Sequence, residues 1–189
     1  MEKNIFLDEK KFKENFINRL NDINPGWRDG DKDNFTGKKA DIVNDKLKIV
    51  IEIKDDTKYK MIIPSTSEII GNLTKLNNKN RQFKDDIKNA NEKFLNYDGY
   101  KSIVLLRTEM SNRNGDVIEY TISGPKIISG GGVYRPSTFF GEHDESTKEV
   151  GVILFWGSRI FYRENTNPNV VKNRIIRKQE LERIMGVNM

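Results

Sequence analysis

The sequence predicts an α/β protein of the α+β kind: a central mixed β-sheet flanked by helices, followed by a β-rich C-terminal extension. Three observations carry that prediction. Phe12, Phe16, Leu20 and Ile23 recur at helical spacing. Leu47 to Lys54 alternates apolar and other residues as a half-buried strand does, and Ser102 to Thr108 runs apolar as a buried strand does. Beyond residue 110, strand-type stretches and turn residues dominate. Helix, hairpin, helices, strand and a strand-rich remainder together describe a sheet with helices packed on it.

The first helix spans residues 8–23, with Asp8 as N-cap and Leu7 placed to staple against Phe12. Pro25-Gly26 ends it, and residues 27–38 read as loop with one short strand. A hairpin follows: Lys39 to Val43, a turn near Asn44-Asp45, then Leu47 to Lys54. After Pro64, Ser65 with Glu68 is a capping-box pattern that opens a short helix. A longer helix runs from about Asn78 to Tyr97, with Phe83, Ile87, Ala90 and Phe94 on one face, and Gly99 stops it. Asp116 to Ser123 and Lys126 to Ser129 read as strands, and Val150–Trp156 with Arg159–Arg163 as a hairpin around Gly157-Ser158. Residues 129–149 form a long loop between them, and 172–185 is a weakly amphipathic helix, basic in its first half. There is no internal repeat. The whole chain, 1–189, reads as a single domain with a core of about residues 8–108 and an extension of about 110–189.

Composition narrows the function classes. Hydrophobic content is 35% and charged content 32%, which excludes the disordered class. There is no cysteine, so disulfides and thiolate metal sites are excluded, and an intracellular, cytoplasmic protein is the simplest expectation. The opening MEKNIFLDEKKF has no long apolar run of the signal-peptide or anchor kind. The longest apolar stretch, Val150 to Trp156, is too short to span a bilayer, so no membrane partner is expected. Lys and Arg number 33 against 28 acids, a net charge of +5 that suits a polyanionic partner such as nucleic acid without establishing one.

The hairpin carries the chemistry. Side chains alternate across a strand, so Leu47, Ile49, Ile51 and Ile53 share a wholly aliphatic face while Lys48, Val50, Glu52 and Lys54 share the other. A two-residue turn at Asn44-Asp45 would pair Ile42 with Leu47 and Asp41 with Lys48, which puts Asp41 on the Glu52/Lys54 side. In that register Glu52 would lie roughly 13 Å beyond Asp41's partner, at about 3.3 Å per residue. The two carboxylates therefore reach one ion only if the turn is wider or bulged, by an even shift that preserves parity. Two carboxylates converging at a sheet edge make a hard-oxygen site suited to Mg²⁺, which also keeps waters and binds phosphate oxygens. A lysine beside them can orient or deprotonate a water and offset charge on a phosphorane-like transition state.

Asp41 followed by Glu52-Ile53-Lys54 on an aliphatic strand resembles the PD-(D/E)xK nuclease superfamily, which includes restriction endonucleases, junction resolvases and recombination nucleases. The order helix, hairpin, helix, strand over residues 8–108 fits it, with Ala40 where a proline often precedes the Asp. The resemblance implies a restriction-endonuclease-like core and a Mg²⁺ site, with Mn²⁺ able to substitute. It makes Asp41 and Glu52 metal ligands, the Ile53 carbonyl a further ligand, and Lys54 the residue that handles the water. It also implies a supporting glutamate from the first helix, for which Glu9 and Glu14 are the candidates. Glu9 is preferred because it shares the Phe12/Phe16/Leu20 face. Gln82 is the candidate for a helix glutamine found in some members. Many members cut duplexes as homodimers, though nothing in this sequence shows dimerisation.

Simpler readings stand beside these. An alternating charged strand face also serves solubility at a sheet edge. Asp55 and Asp56 read as loop solvation, and His143, the only histidine, has no partner set for zinc. Gly130 to Gly132 lacks the Lys-Ser/Thr and helix of a phosphate cradle. Trp27, Phe139, Phe140 and Trp156 are core or base-stacking residues. Lys172, Arg174, Arg177 and Lys178 form a basic cluster that either tracks a phosphate backbone or faces solvent; Arg174, Arg177 and Lys178 are the nucleic-acid-binding candidates. The expected function is a Mg²⁺-dependent endonuclease acting on DNA. The alternatives are a non-catalytic nucleic-acid-binding protein on the same fold, or a ribonuclease.

Overall fold

Ile49, Ile51 and Ile53 alternate with Val50, Glu52 and Lys54, so a strand through them has one aliphatic and one mixed face. In the computed structural model, which describes residues 8–55, 85–107, 127–129, 132–134, 145–157 and 160–189, that strand is internal to a sheet. The helices are α1 (Glu9–Ile23), α2 (residues 85–94) and α3 (Lys178–Met185). The strands are β1 (Trp27–Asp29), β2 (Ile42–Asn44), β3 (Ile49–Asp55), β4 (Lys101–Arg107), β5 (Ile127–Ser129), β6 (Gly132–Tyr134), β7 (Val152–Trp156) and β8 (Ile160–Glu164). The fold is α/β, with a six-stranded mixed sheet in the order β1-β2-β3-β4-β7-β8 and a separate β5-β6 ribbon. The pairs β3/β4 and β4/β7 are parallel; the pairs toward both edges are antiparallel.

Two cores form, one on each sheet face. Ile49, Ile51 and Ile53 pack with Ile103, Leu105, Val152 and Leu154 under Phe16 and Leu20 of α1 and Leu181, Ile184 and Met185 of α3. Val50, Val104, Leu106, Ile153 and Phe155 pack on the other face under Ile87, Ala90 and Phe94 of α2. Each fully buried Ile or Leu in these layers contributes roughly 1.5–3 kcal/mol. The strands beyond residue 150 complete this central sheet, and the β7/β8 hairpin pairs Val152 with Glu164 and Trp156 with Ile160.

Several local expectations are refined. Asp8 is the N-cap of α1 by position, but its side chain makes no capping hydrogen bond. The basic C-terminal helix is broken: Lys172–Arg174 is a 3-10 turn, and α3 starts only at Lys178. Asp55 is the last residue of β3 rather than loop, and it pairs with buried Arg107 at 3.2 Å. Trp27 is core, buried against the α1 face, which removes it from base stacking. Trp156 borders the same cluster, edge-on to Phe16 with ring centroids 5.0 Å apart. Leu7, Asp56, Ser65, Glu68, Gln82, residues 116–123, Phe139, Phe140 and His143 lie outside the described residues. No helix among the described residues is long and apolar enough to cross a membrane.

Candidate active site

The hairpin turn is wider than two residues. Residues 45–48 form it, Lys48 takes φ 53°, and β2 pairs with β3 as Ile42↔Ile51, Val43↔Val50 and Asn44↔Ile49. The pairing has moved by an even number of residues, so parity is kept and Asp41 comes opposite Glu52. The Asp41 carboxylate then caps the strand edge: its Oδ2 accepts the Ile53 N–H at 2.7 Å.

The backbone before Asp41 is held from several sides. Ala40 N donates to the Tyr97 hydroxyl at 3.1 Å, and that hydroxyl donates to Asp33 Oδ2 at 2.8 Å. Gly30 N donates to Asp41 O at 3.0 Å. Only glycine permits this approach, because a Cβ at position 30 would stand 2.1 Å from the Ala40 carbonyl oxygen.

Glu52 lies on the α2 side of the sheet at 1% exposure. Its Oε1 takes two ammonium groups, Lys54 Nζ at 2.8 Å and Lys93 Nζ at 2.6 Å. Its Oε2 is buried and has no hydrogen-bond partner. Burial, and then the Asp41 charge, push the Glu52 carboxyl up to about 7 against the opposing pull of the two lysines. For Lys54, burial favours the neutral amine, but the Glu52 carboxylate and the nearby Asp86 and Asp41 outweigh it, so the ammonium is held above its usual range. Lys93 also stands 3.9 Å from Asp41 Oδ1, between the two carboxylates.

Asp41, Glu52 and Lys54 are thus brought together at the C-terminal end of β3. Glu9 is not: it is exposed on the first turn of α1, and α1 covers the aliphatic face opposite Glu52. Glu14 is likewise exposed on that helix. The basic cluster is corrected as well. Arg174 is 3% exposed, and its Nε and Nη2 bind Glu149 Oε2 at 2.7 Å. Its remaining donors hold the carbonyls of Phe94, Tyr97 and Tyr100, tying off the C-terminus of α2. A side chain so occupied has no donor left for a phosphate. Arg177 and Lys178 are exposed, but Glu180 of the same helix binds Lys101 at the start of β4. They therefore stand at the opposite end of the sheet from Lys54, which pairs with Leu106.

Two residues at the site were not among the sequence candidates, Lys93 and Asp86. Both lie on α2, seven positions apart, each one residue before an apolar anchor, Phe94 and Ile87. The signal was their place beside the stripe that faces the sheet.

The donor set fits a hard divalent cation. Two carboxylates converge around the Lys93 ammonium, and Glu52 is only half satisfied, its buried Oε2 having no hydrogen-bond partner among the described residues. Among the described residues no group of three or more Asp, Glu or His is placed to hold a metal ion, and Mg²⁺ ordinarily keeps several waters beside one or two carboxylates. No protein-family model, curated protein or solved structure matches the chain.

Proposed function

We propose that the protein is a Mg²⁺-dependent endonuclease that hydrolyses phosphodiester bonds in DNA, on a core of the PD-(D/E)xK kind. The reading rests on one observation: a buried glutamate with an unpartnered oxygen sits across a strand pair from an aspartate and beside a lysine of its own strand. Asp41 and Glu52 would hold the ion. The Ile53 carbonyl would join them, because a strand residue's C=O leaves on the same side as its N–H, and that N–H already meets Asp41. When bound, Mg²⁺ or Mn²⁺ supplies Lewis-acid polarisation of a phosphoryl oxygen and neutralises developing charge. Lys54, whose Nζ stands 2.8 Å from Glu52 Oε1, would donate to a phosphate oxygen or orient and deprotonate the attacking water. Duplex cleavage calls for two such sites, which a homodimer would provide.

The test is a cleavage panel of linear duplex, supercoiled plasmid, single-stranded DNA, four-way junction and RNA, with and without Mg²⁺. Mg²⁺-dependent scission of a DNA substrate, lost in Asp41→Asn, is the expected result. Scission of RNA alone makes the protein a ribonuclease. Binding without scission of any substrate makes it a binding protein.

A further inference from the structure

Glu52 Oε1 carries two ammonium groups where the chemistry of one lysine would suffice. Lys54 comes from the same strand, two residues on. Lys93 comes from α2, reaches 2.6 Å from Glu52 Oε1 and 3.9 Å from Asp41 Oδ1, and so lies where a cation bridging the two carboxylates would lie. A divalent ion at about 2.0–2.1 Å from these oxygens cannot share that space with an ammonium. Lysine is a point charge on a flexible four-carbon stem, and the Lys93 side chain is 24% exposed, so it has solvent to swing into.

Resting on the metal-site reading above, we propose that Lys93 is a resident counter-ion: it occupies the divalent cation's seat in the free protein and leaves it for a phosphate oxygen of the nucleic acid. Two consequences follow. Metal binding to the free protein is weakened by the need to displace Lys93. A polyanion that draws Lys93 off Glu52 strengthens metal binding, and by reciprocity the metal strengthens polyanion binding. The metal site is thus kept neutralised until substrate arrives.

The experiment is calorimetric titration of Mn²⁺ into the full chain at fixed pH and ionic strength, for wild type, Lys93→Gln, Lys93→Arg and Glu52→Gln. Removal of one charge-assisted competitor should tighten Mn²⁺ binding in Lys93→Gln by about tenfold or more, while Lys93→Arg stays within about threefold of wild type. A phosphorothioate DNA duplex should tighten Mn²⁺ binding to wild type more than to Lys93→Gln. Because Lys93→Gln removes a neutralising charge from a buried carboxylate, a measurement on the unsubstituted protein runs alongside. The side-chain ammonium resonance of Lys93 should shift on addition of Mg²⁺. Unchanged or weaker Mn²⁺ binding by Lys93→Gln, or an unmoved ammonium resonance at saturating Mg²⁺, overturns the counter-ion role and leaves Lys93 a structural partner of Glu52. Equal Mn²⁺ binding by wild type and Glu52→Gln overturns the metal site itself, and the counter-ion role with it.

Discussion

Glu52→Gln isolates the linkage between one buried carboxylate and stability. In the folded protein the carboxyl sits at about 7, raised first by burial and then by Asp41; in the unfolded chain it returns to its ordinary 4.5. A group raised on folding favours the folded state while it is protonated. Its stabilising contribution is complete below pH 4.5 and is lost as pH climbs through 7. Between those values the folded state holds one more proton than the unfolded, so stability falls by about 1.4 kcal/mol per pH unit, about 3 kcal/mol in all. Glutamine does not titrate. Any constant cost of placing its amide beside Lys54 and Lys93 is independent of pH and drops out of the slope. Lys54 is also raised on folding, but its contribution is complete below the ordinary 10.5 and fades only above it, outside the window. Urea denaturation in EDTA, from pH 4 to pH 8.5, gives the stability of both proteins. The difference, variant minus wild type, should rise by about 3 kcal/mol between pH 4.5 and 7 and then level off. A flat difference curve would show that Glu52 titrates normally and that its burial carries no functional strain. Saturating Mg²⁺, which favours the ionised carboxylate, should flatten the wild-type slope.

Lys54→Ala and Glu52→Gln should each lower Mg²⁺-dependent cleavage by about a hundredfold or more, with extra Mn²⁺ partly rescuing only Glu52→Gln; wild-type rates in either would take the active site away from this hairpin. Arg174→Ala should destabilise the protein by about 3–5 kcal/mol, because it strands Glu149 in the interior and frees the end of α2; urea midpoints measure this, and an undiminished midpoint would return Arg174 to the surface role. Arg177→Ala with Lys178→Ala should leave the salt dependence of DNA binding unchanged, whereas a slope reduced by about two would put the phosphate backbone across that end of the sheet.

What could be read from the chain followed periodicity. Two-residue alternation in Leu47 to Lys54 assigns Glu52 and Lys54 to one face, and the even-shift argument requires the wide turn that residues 45–48 provide. Helical spacing similarly marks Phe16, Leu20, Ile87, Ala90 and Phe94 as core. Glu9 shows the limit of that reasoning. Its helical face does look toward the sheet, but α1 takes the aliphatic side of β3, and which side a helix takes is a property of the chain's crossovers rather than of its stripe. Lys93 shows the same limit in reverse: it lies forty-one positions from Glu52, and no local pattern relates the two.

Arg174 and Lys93 make the deeper point. Each is a cation in a polar, lysine-rich or arginine-rich segment, and each ends against a buried glutamate. Burial of an ion pair is weak grounds for either stability or function on its own. Satisfaction separates them. Arg174 spends its donors on Glu149 and on three backbone carbonyls, and around it Asn91 accepts the Glu149 N–H while Ser102 joins the Glu149 carbonyl to Gly151 N. A Cβ on Gly151 would stand 1.9 Å from the Arg174 carbonyl oxygen, so the backbone too is closed at that end. At the other end of the sheet Glu52 keeps an unpartnered oxygen under two flexible ammonium groups. A buried carboxylate left half satisfied is costly unless something else binds it. The Arg174–Glu149 cluster, whose donors are all spent, therefore reads as architecture. The Glu52 cluster, a half-satisfied carboxylate beside Asp41 and two lysines, is the one on which the nuclease proposal rests.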